Sequence, residues 1–182
     1  MTKPKAKSKR TYVSVDIEAS GPIPGEFSML AIGACLVPDR TKGFYIELQP
    51  LNDNFVPEAM AVCGLDLKGL KTTGVPPDEA MQSFADWLAE EAGEWPAFVA
   101  YPVAFDWMFV AWYFHKFLGH NPFGVSGVDI RSLYMGRARV EWEDSRKDQM
   151  VEAVRPKRAL SHNALQDARD QGELAWKIMQ LP

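Results

Sequence analysis

With 182 residues, 47% of them hydrophobic and 24% charged, the chain is long enough for one well-buried globular domain and short for two. Lys3, Lys5, Lys7, Lys9 and Arg10 place five positive charges with no acid in the first ten residues, so a net charge of −4 leaves the remainder near −9, a poor match for coating long duplexes. The most apolar stretch, 95–118, is broken by Pro96, Pro102 and Asp106, which excludes a membrane span; Cys35 and Cys63, in apolar surroundings and without zinc-type spacing, read as reduced core residues of a cytoplasmic protein.

Residues 1–10 are expected to form a disordered basic arm, and no apolar stretch of the signal-peptide kind follows it. Residues 11–182 then read as a single domain. Thr11–Ile17 is a first strand, Met29–Val37 a second, and Phe44–Leu48 a third with Phe44, Ile46 and Leu48 on one face. Pro22, Pro24 and Gly25 turn the chain between the first two, and Pro38 and Gly43 between the next. A short helix is expected near Pro57–Cys63, ended by Gly64. A longer one runs from Pro77 to Glu91 with Met81, Phe84, Trp87 and Leu88 on one face. Ala97–Tyr101 reads as a buried strand, and Phe105–Leu118 as a deeply packed helix closed by Gly119. A fifth short strand spans Gly127–Ile130, with Asp129 capping a helical turn around Ser132–Tyr134. The last helix runs from Asn163 to Gln180. The six tryptophans read mostly as core. Strands followed by strand–helix alternation indicate an α/β fold with a mixed five-stranded sheet flanked by helices.

Three short segments carry the chemistry. In Tyr-Val-Ser-Val-Asp-Ile-Glu-Ala-Ser-Gly, strand alternation turns Asp16 and Glu18 to one face and Val13, Val15 and Ile17 to the other. Paired carboxylates repel unless a cation sits between them, although a strand edge with two solvated acids would look the same. Asp106 is an acid in the first turn of an otherwise apolar helix; interaction with the helix N-terminus would also explain it. Ser161-His162-Asn163-Ala164-Leu165-Gln166-Asp167 sets a histidine just before the last helix and an acid within its first turns; Asp167 is preferred to Asp170 because it lies closer to both. A strand end and two helix starts can meet at one edge of an α/β sheet. Four carboxylates there could hold two Mg²⁺ or Mn²⁺ ions, with His162 taking a proton from the attacking water.

The ordered set Asp16-Ile17-Glu18, Phe105-Asp106 and His162-Asn163-Ala164-Leu165-Gln166-Asp167 resembles the three motifs of the DEDDh, or DnaQ-like, exonucleases. The resemblance spans nearly all of residues 11–180. It implies a ribonuclease-H-like fold and 3′-to-5′ release of nucleoside 5′-monophosphates from single-stranded RNA or DNA ends, with two Mg²⁺ or Mn²⁺ ions. By position, Asp16 would bridge both ions, Glu18 and Asp167 would complete the tighter site, and Asp106 would act largely through water. His162 would be the general base, Phe105 would pack on the terminal nucleotide, and Ala19 and Ser20 would lie near the 3′ hydroxyl through backbone groups. Where the family often has His-Asn ahead of the second motif, this chain has Tyr101-Pro102. The free-standing single domain suggests RNA before DNA, and a homodimer is one open assembly state. A non-catalytic nucleic-acid-binding protein of the same fold is disfavoured, because all five catalytic-type residues are present.

Overall fold

Alternation in β1 (Thr11–Ala19) divides the molecule. Val13, Val15 and Ile17 bury their side chains in one core with Phe84, Phe109, Val110 and Tyr113, while Ser14, Asp16 and Glu18 turn to the opposite face. The computed structural model describes residues 10–155 and 161–182; apart from Arg10, the basic arm lies outside them.

Every residue of β2 (Met29–Leu36) is buried, and it pairs antiparallel with β1. On its far side runs β3 (Gly43–Glu47), also antiparallel. Parallel to β1 lies β4 (Pro96–Ala100), followed by parallel β5 (Gly127–Asp129). The sheet order is β3-β2-β1-β4-β5, a mixed five-stranded sheet with helices on both faces.

Helix α1 (Pro57–Cys63) ends as expected at Gly64, whose φ of 66° is left-handed. Helix α2 (Leu67–Thr73) was not evident in the sequence; it has seven residues, buries only Leu70, and so shows no apolar stripe. Its start is fixed by Asp66, which accepts a hydrogen bond from the Lys68 amide. Helix α3 (Pro77–Trp87) continues into a π-helical turn over Leu88–Ala92. Helix α4 (Val103–Leu118) begins two residues earlier than expected and buries one face through Asp106, Phe109, Val110, Tyr113 and Phe114, rather than all of its surface. The expected turn around residue 132 is a full helix, α5 (Ile130–Ala138), capped by Asp129, which accepts from the Ser132 amide at 2.7 Å. Helix α6 (Ala164–Met179) is capped by Asn163. The tryptophans depart from expectation: none is fully buried, and Trp95, Trp142 and Trp176 are exposed. Their bulk is accommodated at the edges of a core whose enclosed aromatics are phenylalanines and tyrosines. Both cysteines are free and buried. Among the described residues, no helix is long and apolar enough to cross a membrane.

One glycine decides how α6 meets the sheet. Gly33 pairs with Asp16 across the β1–β2 ladder, and a Cβ placed on it would come within 2.1–2.2 Å of the Ala164 and Leu165 backbone. The first turn of α6 therefore lies directly on the sheet beside Asp16. Gly33→Ala should push that turn away, destabilising the fold by about 1–3 kcal/mol. Urea unfolding of the purified variant measures the loss.

Candidate active site

Past Ser14, β1 parts from β4: the two pair only over Thr11–Ser14 and Pro96–Val99. The opening leaves the Ile17 amide without a strand partner, and Asp106, in the first turn of α4, accepts its hydrogen bond at 3.0 Å. On the other side of β1, the β2 ladder shifts register between Glu18 and Ala19. A shift of this kind re-aims the side chains around it, and it is held by Tyr113, whose hydroxyl accepts from the Met29 amide at 2.7 Å.

Asp167 reaches the same place from α6. Its Oδ1 accepts from the Ser161 amide at 2.8 Å and from the Ser161 hydroxyl at 3.0 Å, and its Oδ2 from the His162 amide at 2.8 Å. The left-handed backbone of His162 (φ 56°) wraps these consecutive amides around the carboxylate. One carboxylate oxygen from each of Asp16, Glu18 and Asp167 lies within 4.8 Å of the others. Asp106 stands outside that tight group, yet its charge acts on Asp16. Asp170 also lies outside it and accepts instead from Gln166 Nε2 at 2.9 Å. The His162 side chain is exposed at the rim. Phe105 is half-exposed, its ring packed on Phe109 with centroids 5.3 Å apart. Ser20 is fully buried; its hydroxyl bridges Ser28 and Asn54, its amide donates to the Ser28 carbonyl, and its own carbonyl accepts from Val56. It thus ties the loop after β1 to residues 54–56.

Two polar residues here were missed in the sequence. Gln171, one turn beyond Asp167 on α6 and buried, accepts from the Tyr101 amide at 2.8 Å and donates to Asp16 Oδ1. Lys147, in the loop after α5, holds its ammonium 4.5 Å from the centre of the Tyr101 ring. The spacing of Gln171 from Asp167 was the available signal for the first; the charged loop gave none for the second.

The carboxylates are electrostatically frustrated. Burial raises Asp16 well above the usual range, and the charges of Asp106, Glu18 and Asp167 raise it further, with Lys147 opposing. Burial and then Asp167 push Glu18 up to about 7. Asp106 also stands at about 7, raised mainly by burial and held down in part by the Ile17 amide. Clustered, desolvated oxygen donors of this kind fit a hard divalent cation. Because the pKa values of Glu18 and Asp106 are raised on folding, the native state binds more protons than the unfolded chain between about pH 4.5 and 7. Their contribution to stability is therefore lost as pH rises through the folded values. In EDTA the protein should lose stability from these groups as pH climbs across that window, and added Mg²⁺ or Mn²⁺ should restore it above pH ~7. Calorimetric melting with and without metal measures this.

No protein-family model matches the chain. It is 43% identical over 168 residues to a protein named 3′-5′ DNA exonuclease Cap18 from Escherichia coli, covering 91% of this chain and 90% of that one. A 3′-exonuclease solved for its 3′-end-specific recognition of a histone mRNA stem-loop superposes with a TM-score of 0.73 at 13% identity, over 94% of this chain and 64% of the other. E. coli Exonuclease I bound to a dT13 oligonucleotide superposes at 0.71 with 16% identity, over 95% of this chain and 42% of that one.

Proposed function

Because this chain belongs to the DEDDh family of 3′-5′ exonucleases, with their ribonuclease-H-like fold, we propose that its substrate is the 3′ end of single-stranded DNA, degraded to nucleoside 5′-monophosphates. The relative at 43% identity is named a DNA exonuclease. That favours DNA over the RNA preference expected from the free-standing domain; the RNA-bound neighbour, at 13% identity, bears on fold alone.

The observation that carries the site is the convergence of Asp16, Glu18 and Asp167 within 4.8 Å. In this reading those three side chains, with Asp106 beside them, hold Mg²⁺ or Mn²⁺. Bound there, divalent ions supply Lewis-acid stabilisation of charge on the attacking and departing oxygens. The chain's own residues do the rest. Gln171 fixes the orientation of Asp16, and the Ser161 and His162 amides fix that of Asp167. His162, at the rim, takes the proton of the attacking water. Phe105 offers a half-exposed face to the terminal nucleotide and Ala19 borders the 3′ hydroxyl, whereas Ser20, fully buried with its amide and carbonyl paired to Ser28 and Val56, supports the loop behind it.

Matched 5′-labelled single-stranded DNA and RNA, digested with Mg²⁺ or Mn²⁺, test the proposal. A one-nucleotide ladder shrinking from the 3′ end, faster on DNA, is the outcome expected. Faster digestion of RNA would overturn the substrate assignment, and full activity in excess EDTA would overturn the metal assignment.

A further inference from the structure

We propose that Lys147 is a further residue of the active site, presenting its ammonium to the scissile phosphate and balancing the negative charge that grows there during cleavage. This rests on the site assignment above.

The loop that carries Lys147 is anchored on both sides. Ser145, two residues before, is fully buried; its hydroxyl accepts from Arg131 Nε at 2.8 Å and its carbonyl from the Tyr101 hydroxyl at 3.4 Å. Met150, three residues after, is fully buried, and its amide donates to the Arg146 carbonyl at 3.1 Å. Between these anchors the Lys147 side chain crosses the face of Tyr101, at the opening between β1 and β4. Ordering so long and flexible a side chain is costly unless something holds it, and a cation over an aromatic face is such a hold.

The ammonium lies within electrostatic reach of the acids. Its charge acts on Asp16, Asp167, Asp106 and Asp170, yet no contact ion pair between it and any of them is found among the described residues. Among the described residues it is the positive charge that acts on both Asp16 and Asp106. A lysine that served only to neutralise the acids would close onto one of them. One held over Tyr101, without a contact ion pair to them, leaves its charge free to meet a phosphate oxygen.

The charge balance agrees. Two divalent ions offset four carboxylates, leaving one phosphodiester charge for Lys147 to meet. During hydrolysis the water oxygen bonds to phosphorus and gives its proton to His162. The bond from phosphorus to the 3′ oxygen breaks, that oxygen takes up a proton, and the mononucleotide keeps the phosphate. Negative charge on the phosphoryl oxygens is greatest midway, so a fixed cation there lowers the barrier more than it tightens binding.

The test compares wild type, Lys147→Met, Lys147→Arg and Asp16→Ala on a single-stranded DNA oligonucleotide. For Lys147→Met, kcat should fall by about 10²-fold with a smaller change in KM, and Lys147→Arg should recover part of the loss. Binding of the same oligonucleotide in Ca²⁺, followed by anisotropy over a salt series, gives a readout independent of turnover. Its log–log slope should be shallower by about 0.7 in Lys147→Met, the loss of one single-strand phosphate contact. Tyr101→Leu, which removes the ring beneath the ammonium, should move both readouts the same way to a lesser degree. Wild-type kcat in Lys147→Met overturns the proposal, and so does a lower kcat with an unchanged salt slope, which would make Lys147 a support for the carboxylates alone. If Asp16→Ala still cleaves, the site assignment falls and Lys147 with it; if Asp16→Ala is inactive and Lys147→Met is not, only Lys147 falls.

Discussion

Asp16→Asn should abolish 3′-end cleavage while leaving the metal-free protein at least as stable as wild type. Asp16 sits between the other acids: the charges of Asp106, Glu18 and Asp167 all oppose its ionisation, and burial adds to them. Asparagine keeps a carbonyl oxygen to accept from Gln171 Nε2, so the local hydrogen bond survives. The charge does not, and with it goes the attraction for a divalent ion. If that ion contributes several kcal/mol to the transition state, its loss at about 1.36 kcal/mol per tenfold lowers the rate by at least about 10³-fold. The stability effect runs the other way. Removing one member of a repelling cluster relieves strain at alkaline pH, where the acids of the metal-free wild type ionise against one another. Each kcal/mol gained would raise the melting temperature of a chain this size by about 2–4 °C. An inactive variant that melts higher than wild type in EDTA, and gains less from added Mn²⁺, is therefore the signature of a metal ligand. An inactive variant that melts lower would mean Asp16 is structural.

Much of this site was legible in the sequence because each acid sat in a context that made it conspicuous. Asp16 and Glu18 interrupt an apolar strand at a spacing of two, which can only put them on one face. Asp106 follows a proline break at the head of an apolar helix, and Asp167 lies in the first turn after a capping asparagine. The choice of Asp167 over Asp170 follows from helix geometry, and the structure brings Asp167 into the carboxylate group while Asp170 bonds to its own helix. What could not be read depends on contacts between distant segments. Gln171 is one polar residue on an amphipathic helix until β4 ends beside it and offers the Tyr101 amide. Gly33 is an ordinary small residue until α6 lies across it. Lys147 belongs to a charged stretch with no periodicity, and only the burial of Ser145 and Met150 fixes where it points. The tryptophans failed for a related reason: apolar spacing marks the side of a helix that meets the core, and it does not say how much of a large ring the core can enclose.

His162→Asn should lower kcat by about 10²–10⁴-fold, the loss of a general base, without weakening metal binding. Asparagine is the informative substitution because it tolerates the left-handed backbone that His162 adopts at φ 56°. The amide that donates to Asp167 Oδ2 at 2.8 Å stays in place, and so does the carboxylate it orients. The imidazole is exposed, so its removal leaves no cavity and costs the fold little. The variant thus separates proton transfer from metal loading, which Asp16→Asn cannot do. Titrated with Mn²⁺, His162→Asn should bind as wild type does, whereas Asp16→Asn should not. At saturating metal its rate should remain depressed with KM little changed, as expected for an interaction made only in the transition state. Recovery of the wild-type rate at high metal would show that the turn at residue 162 serves only to hold Asp167 in position, and the base would then have to be sought elsewhere on the rim.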